Sequence, residues 1–304
     1  MKIWAHILRA IETGGECALV SVAATQGSAP RDAGAHMVVT RHGYHGTIGG
    51  GTLEWHAIAA AQAMFGRGAA IRQTSHALGP DLGQCCGGRV ELLTEVFDAK
   101  SLESVREHAA REALGSFTVI RHGRSLNFGA DPRTVYLFGA GHVGRALVLA
   151  LAPLPVTVRW IDPRPDAFPG AAPQNATLVA AADPVAELAD ATAGSLAFIM
   201  THSHALDLAI TDAALRNPKI AHTGLIGSAT KRARFEKRLR QAGVAPDRIA
   251  GLICPIGLAA IRGKEPAIIA AATAAQILVL DEALRLATAA DQPQHGAKTA
   301  GGGS

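Results

Sequence analysis

Six short stretches of this chain carry residue types whose chemistry needs close backbone approach, free N–H groups or a soft ligand. Val135-Tyr136-Leu137-Phe138-Gly139-Ala140-Gly141-His142-Val143-Gly144 is an apolar run entering G-x-G-x-x-G. In such a turn Gly139 permits the tight bend, Gly141 lets the backbone approach a phosphate, and Gly144 lets helix and strand pack closely. The next apolar run, Thr157–Ile161, ends at Asp162, near the interval of about 20 residues at which a ribose-binding acid is found. Arg164 beside it suits a ligand that bears phosphate. Ile48-Gly49-Gly50-Gly51-Thr52-Leu53-Glu54 is a second glycine loop able to converge N–H groups on an anion, with Glu54 one turn into the following helix, placed to cap its start or to reach a ligand. Gln84-Cys85-Cys86-Gly87-Gly88 places two thiols on a glycine-rich loop, where thiolate suits a soft metal or sulfur-bearing ligand. Zinc would need two further ligands, and neither Cys17 nor Cys254 lies near in sequence.

Three more stretches lie at expected strand ends. Thr201-His202-Ser203-His204-Ala205-Leu206-Asp207 puts His202, His204 and Asp207 where ligands bind in open α/β sheets. A capping reading also fits, with Ser203 as N-cap of the following helix and Asp207 in its first turn. Ile226-Gly227-Ser228-Ala229-Thr230-Lys231 offers a helix start with a basic side chain, and Cys254-Pro255-Ile256-Gly257-Leu258 follows a further run. As a metal set, H-x-H plus Asp is incomplete.

The elements that must position these residues follow from periodicity. Helices are expected over Trp4–Glu12, Leu53–Phe65 and residues 101–115. Strands are expected over Cys17–Ala24, His36–Thr40 and Arg89–Phe97, with a hairpin at Phe117–Ile120 and Arg124–Asn127. Composition shifts at Gly129-Ala130-Asp131-Pro132. Beyond it, strands at Thr134–Phe138, Val156–Ile161, Leu196–Met200, Ile220–Ile226 and near Ile249 alternate with helices, which argues for a parallel sheet. The expected fold class is α/β: a smaller α+β domain over residues 1–130, a Rossmann-like domain over 131–286, and a low-complexity tail over 287–304.

Composition limits the function classes. The chain has 304 residues, 48% hydrophobic and 18% charged, enough to build cores in two domains. A net charge of +4 without a dense basic patch argues against nucleic acid as partner. The stretch Lys231–Arg240 reads as a solvated helix face. Ala267–Leu280 is apolar but short for a membrane span and reads as a buried helix. No targeting segment is visible at the start, and the four cysteines show no disulfide framework, which together point to the cytoplasm.

Taken in order, these six motifs resemble the XdhC/CoxI family over about residues 5–280. The resemblance implies a molybdenum cofactor chaperone rather than an enzyme. Such a protein binds the molybdopterin form of the cofactor transiently, shields it during sulfuration, and delivers it to apo xanthine dehydrogenase. Its implied partners are the molybdenum-binding subunit of that enzyme and a cysteine-desulfurase-type sulfurase, with homo-oligomerisation expected. Cys85 or Cys86 would face molybdenum, and the phosphate would lie near Gly141–Gly144 or Ser228–Lys231. The chain departs from the family pattern at Pro266-Ala267-Ile268-Ile269-Ala270-Ala271-Ala272, where relatives carry polar residues. It also shows no appended nucleotidyltransferase-like domain, which argues against synthesis of a dinucleotide cofactor. The residues alone, without the resemblance, favour an NAD(P)-dependent oxidoreductase built on the glycine turn, Asp162 and the His202/His204 pair.

Overall fold

A computed structural model describes residues 2–68, 70–79 and 87–290. The chain divides after Asp131 into two compact units. In the first, helix α1 (Ile3–Gly14) is followed by β1 (Glu16–Gln26), β2 (His36–Val39), β3 (Tyr44–Gly46), α2 (Gly51–Gln62), β4 (Ile71–Ala77), β5 (Arg89–Asp98), α3 (Leu102–Leu114) and the hairpin β6 (Phe117–Arg121) and β7 (Arg124–Phe128). The strands form an antiparallel sheet in the order β3-β2-β1-β5-β4. Side chains of a strand alternate between faces, and β1 uses both. Ala18, Val20 and Val22 pack with Leu53, Ala57 and Ala61 of α2. Cys17 and Leu19 pack with Trp4, Ile7 and Ile11 of α1, Val105 of α3 and Phe128 of the hairpin.

The second unit contains β8 (Arg133–Phe138), α4 (His142–Leu151), β9 (Val156–Asp162), β10 (Ala176–Ala180), β11 (Ser195–Ile199), α5 (His204–Arg216), β12 (Ile220–Leu225), α6 (Ala229–Gln241), α7 (Pro246–Ala250) and α8 (Pro266–Ala290). Its five-stranded sheet is parallel throughout, in the order β10-β9-β8-β11-β12. This is the Rossmann order 3-2-1-4-5, with its switch point between β8 and β11. Both faces are covered, as a parallel sheet requires. Tyr136 and Phe138 point toward α5 and α6. Val135 and Leu137 point toward Leu147, Val148 and Leu151 of α4 and Ala270, Ala274 and Ile277 of α8.

The structure corrects several expectations. Ile249 lies in α7, not in a strand; the sheet is extended instead by one parallel bridge between Gly224 and Ile253. Pro246 at the start of α7 favours a helical first turn there. Strands β3, β4 and β10 are additional edge strands. Exposed polar residues such as Arg72 and Gln73 gave β4 no apolar alternation to read. Helix α8 continues past Leu280 to Ala290, where a tail had been expected from Ala287. Asp281 holds this extension by accepting from Arg133 Nε and Arg285 Nε, each at 2.8 Å. By length and composition α8 could cross a membrane, but Ala270, Ala274 and Ile277 are built into the core of the second unit.

Candidate functional site

The carboxyl ends of β8, β9, β11 and β12 carry nearly all of the expected site residues of the second unit. Gly139 has φ +116°, and a Cβ there would lie 2.3 Å from the carbonyl oxygen of Met200 at the end of β11. Glycine therefore brings the turn against the neighbouring strand end. Gly144 is packed against the same turn, since its Cβ would lie 2.1 Å from the Gly139 oxygen. Trp160 pins that oxygen from below, donating from Nε1 at 3.0 Å. Gly141 differs: it is the N-cap of α4 with an ordinary φ of −77°, and no heavy atom lies within 4 Å of a Cβ added there. The open side of the turn is thus at Gly141, with exposed His142 beside it.

Asp162 is fully buried and faces this turn from the end of β9. Its Oδ2 accepts from the Ala140 N–H at 2.8 Å and Arg164 Nη2 at 2.9 Å. Its Oδ1 accepts from the Arg164 N–H at 3.0 Å and Arg164 Nε at 2.9 Å. Burial pushes the carboxyl pKa up, but the Arg164 side chain, the two N–H groups and the guanidinium charge outweigh it and hold the carboxyl below the usual value. Four donors occupy this carboxylate, so its acceptor capacity is spent on the protein itself. The expectation of a ribose-binding acid does not match that geometry. Arg164 is bound to Asp162 on one side while its side chain is 46% exposed.

At the end of β11, Ser203 caps α5 by accepting from the Leu206 N–H at 3.4 Å. His202 and His204 are exposed. Asp207 turns inward and is buried. Its Oδ1 accepts from the Thr201 N–H at 3.0 Å and Thr201 Oγ1 at 2.7 Å. Its Oδ2 accepts from Lys231 Nζ at 2.6 Å, and the same ammonium donates to the Ile226 oxygen at 2.8 Å. Asp207 and Lys231 therefore join the β11 and β12 crest loops. Their expected direct role on a ligand is not what this geometry favours. Ser228 caps α6, its Oγ accepting from the Lys231 N–H at 3.3 Å, with Gly227 just before it. Among the described residues no group of three His, Cys, Asp or Glu side chains is placed to hold a metal ion.

The glycine loop of the first unit also binds an anion, but one of its own. Gly49, Gly50 and Gly51 all have positive φ. Glu54 reaches back so that Oε2 accepts from the N–H groups of Ile48 at 3.0 Å and Gly50 at 3.1 Å and from Thr47 Oγ1 at 2.5 Å. The carboxylate fills the concavity that an external anion would need. Gln84, Cys85 and Cys86 lie outside the described residues.

Sequence reading missed Thr201, Trp160 and the Ala140 N–H as organisers of the crest. It also missed Gln276 of α8, whose amide accepts from the Gly257 N–H at 2.8 Å and donates to the Gly257 oxygen at 3.1 Å, tying down the loop after Cys254. The interval between β8 and Asp162 pointed to the Ala140 contact, and the Thr201–Asp207 contact lies within one motif; the Trp160 and Gln276 contacts join separate elements.

Two family models match the chain, one described as the XdhC Rossmann domain over residues 135–277 and one as the XdhC and CoxI family over residues 10–74. The chain belongs to the XdhC/CoxI family. The Rossmann model covers the whole span from β8 into α8, and therefore all of the crest described above. Escherichia coli YqeB, described as an uncharacterized protein, is 28% identical to this family member over 288 residues. The match spans 91% of this chain and 46% of YqeB, so the chain spans about half the length of that curated relative. A crystal structure described as a xanthine dehydrogenase from Bacillus halodurans superposes with a TM-score of 0.76 at 20% identity, covering 95% of this chain and 98% of that one. At that identity the likeness establishes a shared fold.

Proposed function

We propose that this XdhC/CoxI family member acts in xanthine dehydrogenase maturation as a chaperone that holds the molybdopterin form of the molybdenum cofactor. The observation that carries the reading is the saturated Asp162 carboxylate. A dinucleotide-binding crest leaves that acid free for ribose hydroxyls. Here it is closed by Arg164, which leaves a partly exposed guanidinium and the open Gly141 turn facing the same crevice. That arrangement suits a terminal phosphate better than a ribose diol.

The residues fit such a cargo. The N–H groups at the start of α4, with Gly141 and His142, and the exposed face of Arg164 would take the phosphate. The capped starts of α5 and α6, with Ser203 and Ser228, border the switch point. Exposed His202 and His204 offer donors to a pterin edge. Cys85 and Cys86 remain the proposed thiols facing molybdenum, on the chemistry of soft ligands. The cargo supplies all redox chemistry; this chain binds, orients and excludes water. Sulfuration by a cysteine-desulfurase-type partner, transfer to the molybdenum-binding subunit of xanthine dehydrogenase, a homo-oligomeric state and a cytoplasmic location belong to the same proposal.

Equilibrium binding of cofactor released anaerobically, with NAD and NADP titrated in parallel, tests it. Micromolar or tighter cofactor binding that Gly141→Val and a Cys85→Ala/Cys86→Ala double variant weaken is the expected result. Tight NAD(P) binding with steady NADH consumption and no affinity for the cofactor would establish an oxidoreductase instead.

A further inference from the structure

The first unit contains a cavity of about 300 Å³ lined by His6, Arg9, Glu16, Arg41, His42 and His45. No expected site residue lies in it. Its wall is built from α1, the start of β1, the turn between β2 and β3, and β3 itself. Three imidazoles and two guanidiniums thus share one small concavity with a single carboxylate. That carboxylate is already committed: Glu16 pairs with Arg41 and accepts from the Gly66 N–H at 2.9 Å. Arg9 has no carboxylate partner among the described residues. The lining is therefore cationic and becomes more so as the imidazoles protonate.

Two features decide between an anion and a metal ion. The His6 and His45 rings are stacked, with centroids 4.4 Å apart and an interplanar angle of 20°. Parallel rings present their edges side by side rather than converging on one tetrahedral point, as zinc would need. The volume sits at the lower end for small-molecule sites and is too small for a dinucleotide. We propose that this cavity binds a small doubly charged oxyanion, a phosphoryl group either free or as a phosphate monoester. Arg9 supplies the uncommitted charge, and His6, His42 and His45 supply further donors.

Protonation is linked to this binding. Burial holds the His6 pKa below the ordinary imidazole value, with His45, Arg9 and the chain's amino group adding to the effect. Arg41 and His42 face the same space from the β2–β3 turn, and Glu16 from β1. A dianion placed among these groups favours imidazolium, so binding takes up protons and tightens as pH falls. The site is independent of the cofactor reading, and either can fail alone.

The test uses the full chain, titrated with inorganic phosphate, phenyl phosphate and sulfate at low salt, and read by calorimetry and by the imidazole proton resonances of His6 and His45. Both resonances should shift on saturation. Sulfate, dianionic throughout, should bind several-fold more tightly at about pH 6 than at pH 8. Arg9→Gln should weaken phosphate about tenfold or more, the scale of a lost hydrogen bond to a charged group. Arg72→Gln, on edge strand β4, should change nothing. Tighter binding of phenyl phosphate than of phosphate assigns the site to an organic monoester, and the reverse assigns it to the free oxyanion. Unshifted His6 and His45 resonances, equal losses in the Arg9 and Arg72 variants, or binding of zinc in place of phosphate would overturn the proposal.

Discussion

Gly141 and Gly144 stand three residues apart in one turn, yet the structure gives them opposite tolerances. A Cβ at Gly144 would press to 2.1 Å from the Gly139 oxygen, which backbone cannot easily yield, whereas one at Gly141 meets nothing within 4 Å. Gly144→Ala should cost about 1–3 kcal/mol in denaturant unfolding, and Gly141→Ala should stay within about 0.5 kcal/mol. Cofactor affinity should show the reverse order of sensitivity if Gly141 faces a ligand. Asp162 gives a prediction in pH. Its folded carboxyl pKa is depressed, so its stabilisation is present above the unfolded value of about 3.9 and lost as pH falls through the folded one. Denaturation midpoints of the parent should therefore drop below about pH 4. Asp162→Asn should be less stable at neutral pH and should lose part of that acid slope. Identical pH profiles for the two would show that Asp162 does not organise the glycine turn.

At the scale of elements, buried carboxylates do the joining. Asp207 of α5 and Lys231 of α6 lie 2.6 Å apart with side chains 2% and 13% exposed. Lys231→Met leaves a buried charge unpaired and should cost about 3–5 kcal/mol. The Asp207→Asn/Lys231→Met double variant should recover part of that loss in the same unfolding assay. Additive losses would mean the two side chains are energetically uncoupled. In the first unit, Glu112 of α3 accepts from the N–H groups of Ile3 at 2.7 Å, Trp4 at 2.8 Å and Ala5 at 3.2 Å. It thereby caps α1 from another helix. Glu112→Ala strands buried donors and should cost about 2–3 kcal/mol, with Glu112→Gln intermediate; a calorimetric melt of each variant reads both. No local signal announces this cap, because Lys2 at the N-cap of α1 makes no side-chain cap and the acid lies over a hundred residues away.

Across the whole molecule, each unit keeps one thiol in its core among the described residues. Cys17 is completely buried in the first unit and its pKa is pushed up to about 12, chiefly by burial with Glu16 adding. Cys254 is buried in the second, and burial again raises its pKa. Thiolate is the reactive form, so both should resist alkylation in the native state. In a Cys85→Ala/Cys86→Ala background, no thiol should label quickly in buffer and two should label in denaturant. Mass spectrometry of peptides across a urea series then reports the opening of each unit separately. Rapid native labelling of Cys17 or Cys254 would contradict the packing described.

What was legible in the sequence was whatever periodicity and local punctuation encode. Apolar runs marked β1, β5, β8, β9, β11 and β12, the glycine turn marked the β8–α4 junction, and six motifs in order marked the family. Edge strands β3, β4 and β10 escaped because an edge needs little apolar surface, and Ile249 misled because one buried apolar position reads alike in helix and strand. The direction in which Asp162 and Asp207 point was decided by tertiary structure, whereas the partners of Glu54 all lie in its own glycine loop. Asp162 and Asp207 looked available to a ligand, and Glu54 to a ligand or to its own helix start; all three turn inward to N–H groups or cations of the protein. A buried carboxylate must find such partners, and for Asp162 and Asp207 some of them come from another strand or helix that composition and spacing do not reveal. The cationic cavity of the first unit has the same origin, gathered from α1, β3 and the turn before it by the closing of the sheet.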